Sequence, residues 1–237
     1  MSVEADLYNN WAIFKSLDVD SQEDYYKNLL YSIITESTEM IGSDITFEEN
    51  KQLFDTGIVT AGKKFVNYQM SIDLKNAYVK ALDYSKKGYP LNADILNDLS
   101  VVSLRSTFTG AFDLGKYCRC PQKLSDYCEK LNIRCQDFAF MQPVEQYYTT
   151  FDALLELEKI RPWQAGNHRM GRLVMNYIQY QFKIFPTRIL MKDKELYQSA
   201  LKTAIETNDI SIFRTTMLEI HIRSIKKEVE EYMKVMA

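Results

Sequence analysis

The sequence predicts an all-α protein, a bundle of about eight helices with at most one short β-hairpin flap, and three observations carry that expectation. Only 8 Gly and 5 Pro occur in 237 residues, so turn-forming material is sparse. Apolar side chains recur at three- and four-residue spacing along most of the chain, the period of a helix with one buried face. Strand-like alternation is unconvincing except in the Cys-rich stretch 116–138, where the hairpin is expected.

Taken in order, the elements carry recognisable start and stop signals. Ser21, with Asp24 three residues on, resembles a capping box and opens a helix running to about Ser37. Thr46 and Glu49 repeat the device, and Gly57 closes that short helix. Between residues 62 and 87, Phe65, Tyr68, Ile72, Val79 and Leu82 fall on one stripe, and Gly88 ends it. Asn92 caps the following helix. Pro143 starts another, with Val144, Tyr147, Phe151, Leu154 and Leu155 on one face and an end near Ile160. Met170, Leu173, Tyr177, Tyr180 and Ile184 form the next stripe, stopped by Pro186. Helices over 193–207 and 210–233 complete the series.

One domain, 1–237, is expected, with N-terminal helices in 1–60, a core in 61–190 and C-terminal helices in 191–237. Apolar residues make up 46% and charged residues 26%, the balance of an ordinary globular protein. A net charge of −3 argues against coating nucleic acid. No apolar run approaches the roughly 18 residues of a membrane helix. The start, MSVEADLYNN, is acidic and polar where a signal peptide is basic and then apolar. A cytoplasmic protein without membrane or nucleic-acid partners is the expectation. The 12 Phe, 16 Tyr and 2 Trp supply a core and leave material for a homo-oligomer face or a protein partner.

No two glycines form Gly-x-Gly, which removes dinucleotide fingerprints and kinase-type glycine loops. GIVTAGKK, residues 57–64, nearly matches the phosphate loop GxxxxGK[ST]. However, Lys64 cannot ligate magnesium as a hydroxyl does, and no strand precedes it, so a turn between helices is expected. Cys118, Cys120, Cys128 and Cys135 lie within 18 residues. A four-thiolate zinc site and plain reduced thiols both fit, although the paired CxxC knuckles of sequence-recognisable zinc sites are missing.

Residues 160–173 read IRPWQAGNHRMGRL. A Gly-Asn turn here opens a helix whose first N–H groups and dipole favour an anion. Arg169 and Arg172 stand three apart in its first turns and share a side, with Arg161 and His168 adding donors nearby.

This segment resembles the Fic signature, HxFx(D/E)GNGRxxR, of adenylyl (AMP) transferases. Arg161 stands at the His position, Trp163 at the Phe and Ala165 at the acid. Gly166 and Asn167 match, His168 replaces the second Gly, and Arg169 and Arg172 match both arginines. Upstream, ESTEMIG resembles the family's inhibitory segment (S/T)xxxE(G/N), with Ser37 and Gly42 in place and Ile41 where the inhibitory Glu belongs. The resemblance spans about residues 20 to 190.

The resemblance implies a site for ATP or another nucleotide or phosphate anion at Gly166, Asn167, His168, Arg169 and Arg172, and the departures imply impaired chemistry. In the family the His takes the proton from the target hydroxyl, and a guanidinium at 161 stays protonated. The family's acid holds magnesium, and Ala165 has no oxygen to offer, so neither magnesium nor another metal is expected. A nucleotide- or phosphate-binding pseudoenzyme is therefore the leading reading. Two others stand beside it: a protein-interaction module with a dead pocket, and an adenylyl or other phosphate-group transferase with altered chemistry. The last requires an acidic or His side chain brought in from elsewhere in the fold.

Overall fold

A computed structural model describes residues 3–17, 24–107 and 118–236, with side chains described to residue 233. Ten α-helices occur among the described residues: α1 Val3–Ser16, α2 Tyr25–Glu39, α3 Phe47–Thr56, α4 Phe65–Lys86, α5 Ala93–Leu104, α6 Pro121–Gln136, α7 Pro143–Ile160, α8 Asn167–Gln181, α9 Lys194–Thr207 and α10 Ile210–Met236. Single 3-10 turns at Phe138–Phe140 and Met191–Asp193 join α6 to α7 and lead into α9. The all-α class holds, with two more helices than expected. No described helix is long and apolar enough to cross a membrane.

Several start signals act as read. Thr46 and Glu49 make both bonds of the capping box on α3, and Gly57 ends that helix at φ 77°. Asn92 Oδ1 accepts the Ile95 N–H at 2.9 Å on α5. Caps of this kind each stabilise by about 1 kcal/mol. The 57–64 segment is a turn between α3 and α4. Ser21, expected to cap α2, lies outside the described residues; Asp24 occupies the cap position.

The centre of the bundle is α8. It packs most extensively against α7, and also against α4 and α5. Every residue from Arg169 to Gln179 is buried. The apolar stripe of Met170, Leu173 and Tyr177 meets the core. The opposite stripe, Arg169, Arg172, Asn176 and Gln179, is polar and equally enclosed. Its lower half is satisfied by a network: Tyr78 donates to Asn176, while Gln179 bonds Thr150 and Thr187. Its upper half is the pair of arginines.

Three expectations need correction, and one helix was not expected. The hairpin within 116–138 is absent over its described part, where Pro121 starts helix α6 and Leu124, Tyr127, Cys128 and Leu131 form its buried face. In α4, Phe65 and Val79 are exposed, and the buried face instead runs through Tyr68, Ser71, Leu74, Tyr78, Ala81 and Ser85. Small and polar residues line that face because α5 and α8 press closely on it. Helix α8 stops at Gln181, before Pro186: Lys183 turns left-handed at φ 55° and Ile184 N–H bonds Gln179 O, closing the helix as a Schellman turn. Finally, α1 had no sequence signal. Its buried face is Leu7, Asn10 and Phe14, too weakly apolar to stand out, and it forms against α10.

Candidate functional site

The α7–α8 connection is built around two anchored side chains. Helix α7 ends at Arg161, whose backbone is left-handed at φ 46° while its N–H still reaches Leu157 O at 2.9 Å. Pro162 follows and forbids a further helical turn. Trp163 is buried, and its indole N–H donates to Asn97 Oδ1 at 2.8 Å. Asn167 then clips the loop shut: its Oδ1 accepts from Trp163 N–H at 3.1 Å and its Nδ2 donates to Trp163 O at 2.8 Å. Gly166 sits at φ 79°, and a Cβ there would stand 2.8 Å from Leu104 Cδ1. Ala165 packs on the same Leu104, beside Val101. An apolar contact thus occupies the position where the Fic signature carries a metal-binding acid, and the residues present do not fit a magnesium ion there.

The two arginines expected to hold an anion are both buried and both bonded to neutral oxygens. Arg169 Nη1 donates to Ser103 O at 2.6 Å. Arg172 donates from Nε and Nη2 to Ser37 Oγ and from Nη2 to Ser37 O. Among the described residues neither lies within 4.0 Å of a carboxylate. Burial, together with the neighbouring Arg172 charge, brings the Arg169 pKa down to about 10, and the more distant Asp73 opposes this. Asp73 itself is held by the Ser106 N–H and hydroxyl. Elsewhere in the same fold a buried guanidinium is treated differently: Arg188 bonds Glu36 and Glu228, and although burial lowers its pKa, the charges of Glu36 and Glu231 hold it above the ordinary value.

Arg161, His168 and Arg172 meet on one wall of a cavity of about 350 Å³. Ile41, from the end of α2, and Leu201 and Ile205, from α9, form an apolar side, with Lys202 and Glu206 at the rim. Trp163 and Met170 belong to the core and leave this space open. Arg161 is exposed and has no side-chain partner among the described residues. Of the inhibitory-like segment, Ser37 reaches Arg172, Ile41 is 40% exposed on the cavity wall, and Gly42 turns the chain at φ 97°. His168 lines the cavity with its ring 54% exposed, and its Nδ1 lies 2.7 Å from Oε1 of the buried Glu158.

The cysteines do not converge. Cys128 and Cys135 lie on α6, Cys118 and Cys120 precede it, and among the described residues no three His, Cys, Asp or Glu side chains form a group able to hold a metal. Burial pushes the Cys128 thiol up to about 12 and Cys135 to about 11, away from the thiolate that zinc requires. The zinc reading is therefore replaced by reduced thiols, one of which, with its neighbour Arg119, braces the site. Cys120 Sγ contacts Ile160 O at 3.8 Å, and Arg119 N–H donates to Pro162 O at 2.8 Å.

No family model matches the chain. Solved structures do. A Fic domain-containing signalling protein from Bacteroides thetaiotaomicron superposes with a TM-score of 0.78 at 17% identity, over 97% of this chain and 98% of that one. The chain has the Fic fold. Fic-1 from C. elegans gives a TM-score of 0.78 at 16% identity, covering 99% of this chain and 74% of the other. A Fic family protein from Desulfovibrio desulfuricans gives 0.68 at 17% identity, covering 95% and 74%. Within this Fic fold, the sequence-nominated residues Arg161, His168 and Arg172 come together on the cavity. Arg169 points instead to the end of α5, and the half-buried Ala165 packs on Leu104.

Two participants escaped the sequence reading. Glu158 lies ten residues before His168, outside the motif. Its one sequence signal is Gly171, the bare position against which its carboxylate packs. Asn97, which fixes Trp163, carries no local signal.

Proposed function

We propose that this protein is a Fic-fold binder of nucleotides or other phosphate anions in which the family's AMP-transfer machinery is dismantled. One observation carries the reading: among the described residues Arg169 and Arg172 are buried without a carboxylate partner, although buried charges are ordinarily paired. Neutral oxygens accept from Arg169 Nη1 and from Arg172 Nε and Nη2 and bring no negative charge to pair with them. A phosphate entering beside Arg161, His168 and Arg172 supplies the missing negative charge and accepts bidentate bonds from guanidinium.

The family's route to AMP transfer is not available to these residues. Arg161 cannot accept a proton, and Ala165 cannot hold magnesium. Loss of a general base alone costs about 10²- to 10⁴-fold. A role in recognition of a protein partner is compatible with this reading and takes the bound anion as its signal.

Thermal unfolding with added ATP or inorganic pyrophosphate tests it. A ligand at 100 times its Kd stabilises the folded state by about 2.7 kcal/mol. A concentration-dependent rise in Tm that weakens in Arg161→Ala is expected. An unchanged Tm with both anions refutes the proposal.

A further inference from the structure

We infer that Glu158 and His168 form a relocated proton-accepting dyad, and that this cavity hydrolyses the terminal phosphoanhydride bond of a nucleotide it binds. The inference rests on the anion-binding reading above and adds a reaction to it.

Three features assemble the dyad. Glu158 is buried on the last turn of α7, and its carboxylate has one ionisable partner among the described residues, the His168 ring. In the dyad Nδ1–H of His168 donates to Oε1 across 2.7 Å. That fixes the tautomer and leaves Nε2 as the free, basic nitrogen on a ring that lines the cavity and reaches solvent. The third feature is Gly171. A Cβ at that position would lie 3.3 Å from Glu158 Oε1, so a bare helix face gives the carboxylate its place one turn below the imidazole.

The surroundings suit phosphoryl chemistry. Arg161 from the end of α7, Arg172 from α8 and Lys202 from α9 bring positive charge to the same cavity; Tyr197 and Glu206 are the other titratable groups facing it, and α2 presents only Met40 and Ile41. Nε2 takes a proton from water as the water oxygen forms a bond to the terminal phosphorus. The bridging P–O bond breaks, and its electron pair leaves on the shortened nucleotide, where guanidinium balances the new charge. The imidazolium then releases its proton to solvent. The net change is one water consumed and one anhydride bond cleaved, with no redox step. The position that the family gives to its base holds Arg161, and the imidazole returns seven residues later with a carboxylate behind it.

The test is orthophosphate release from ATP by the protein near neutral pH, run beside ATP titration calorimetry. In His168→Gln it falls at least about 100-fold while ATP still binds. In Glu158→Gln kcat falls by a smaller factor while ATP affinity is kept, because the carboxylate that holds Nδ1–H and orients the ring is gone. ATP binding without phosphate release, or release unaltered in His168→Gln, overturns the dyad and leaves the binding reading standing. Absence of both binding and release overturns the two together.

Discussion

Arg172 and Ser37, 135 positions apart, are joined by three hydrogen bonds that hold the end of α2 over the arginine wall of the cavity. One residue earlier, Glu36 turns to Arg188. Helix α2 thus serves two buried guanidiniums with consecutive side chains, giving its carboxylate to one and its hydroxyl to the other. The first pair is electrically closed. The second satisfies geometry and leaves the charge open.

Ser37→Ala separates these two roles. Losing bonds from a charged donor is expected to lower unfolding stability by about 1.5–3 kcal/mol. The same change frees Arg172, so ATP affinity rises severalfold. Urea unfolding and calorimetry read the two effects, and weaker ATP binding in the variant contradicts the account.

Ile41→Glu tests the cavity wall from the other side. The residue is 40% exposed, so stability should change by no more than about 0.5 kcal/mol. A carboxylate there competes with an incoming phosphate for Arg172, and ATP affinity is expected to fall about tenfold, or about 1.4 kcal/mol. Equal affinity in both proteins places the anion elsewhere.

Gly166→Ala probes the turn itself. The left-handed backbone costs an alanine about 1–2 kcal/mol, and the contact with Leu104 adds about 1–3 kcal/mol of overpacking. Paired with Leu104→Ala, the two changes should destabilise by less than their sum. Strict additivity in denaturant unfolding contradicts the contact.

His221 predicts a pH dependence of stability. It is fully buried in α10, shares a hydrogen bond with Thr187 and packs on Tyr147, and burial pushes its pKa down to about 3. The unfolded imidazole titrates near 6.5. Below that pH the unfolded chain binds a proton that the folded one refuses, so this contribution is complete above 6.5 and is lost as pH falls towards 3. The slope is about 1.4 kcal/mol per pH unit. Between pH 6 and 4.5 most carboxylates have yet to titrate, and urea unfolding of wild type should weaken more steeply than that of His221→Asn. Parallel profiles refute the assignment.

Much of this molecule was legible in its sequence because the signals were local. The Thr46–Glu49 box, the Asn92 cap, the Pro143 start and the Gly166–Asn167 turn each depend on residues within four positions of one another. What escaped depends on distant contacts. Helix α1 exists through α10, and the polar face of α8 reads as solvated surface until α2 and α4 enclose it. Phe65 and Val79 were assigned to a core face because apolar spacing cannot say which stripe meets a close neighbour, and α4 turns its small residues inward. Glu158 belongs to the same class: its partner lies across a turn whose geometry brings α7 and α8 face to face.

The central claim is that the open charge at Arg172, beside Arg161 and His168, receives a phosphate anion. Calorimetric titration of the full-length protein with ATP, with and without magnesium, tests it most directly, beside the exposed-residue variant Arg161→Ala. The account predicts micromolar binding that is the same in both buffers and is weakened about tenfold or more by Arg161→Ala. The absence of binding heat in either buffer, or binding that requires magnesium, contradicts it.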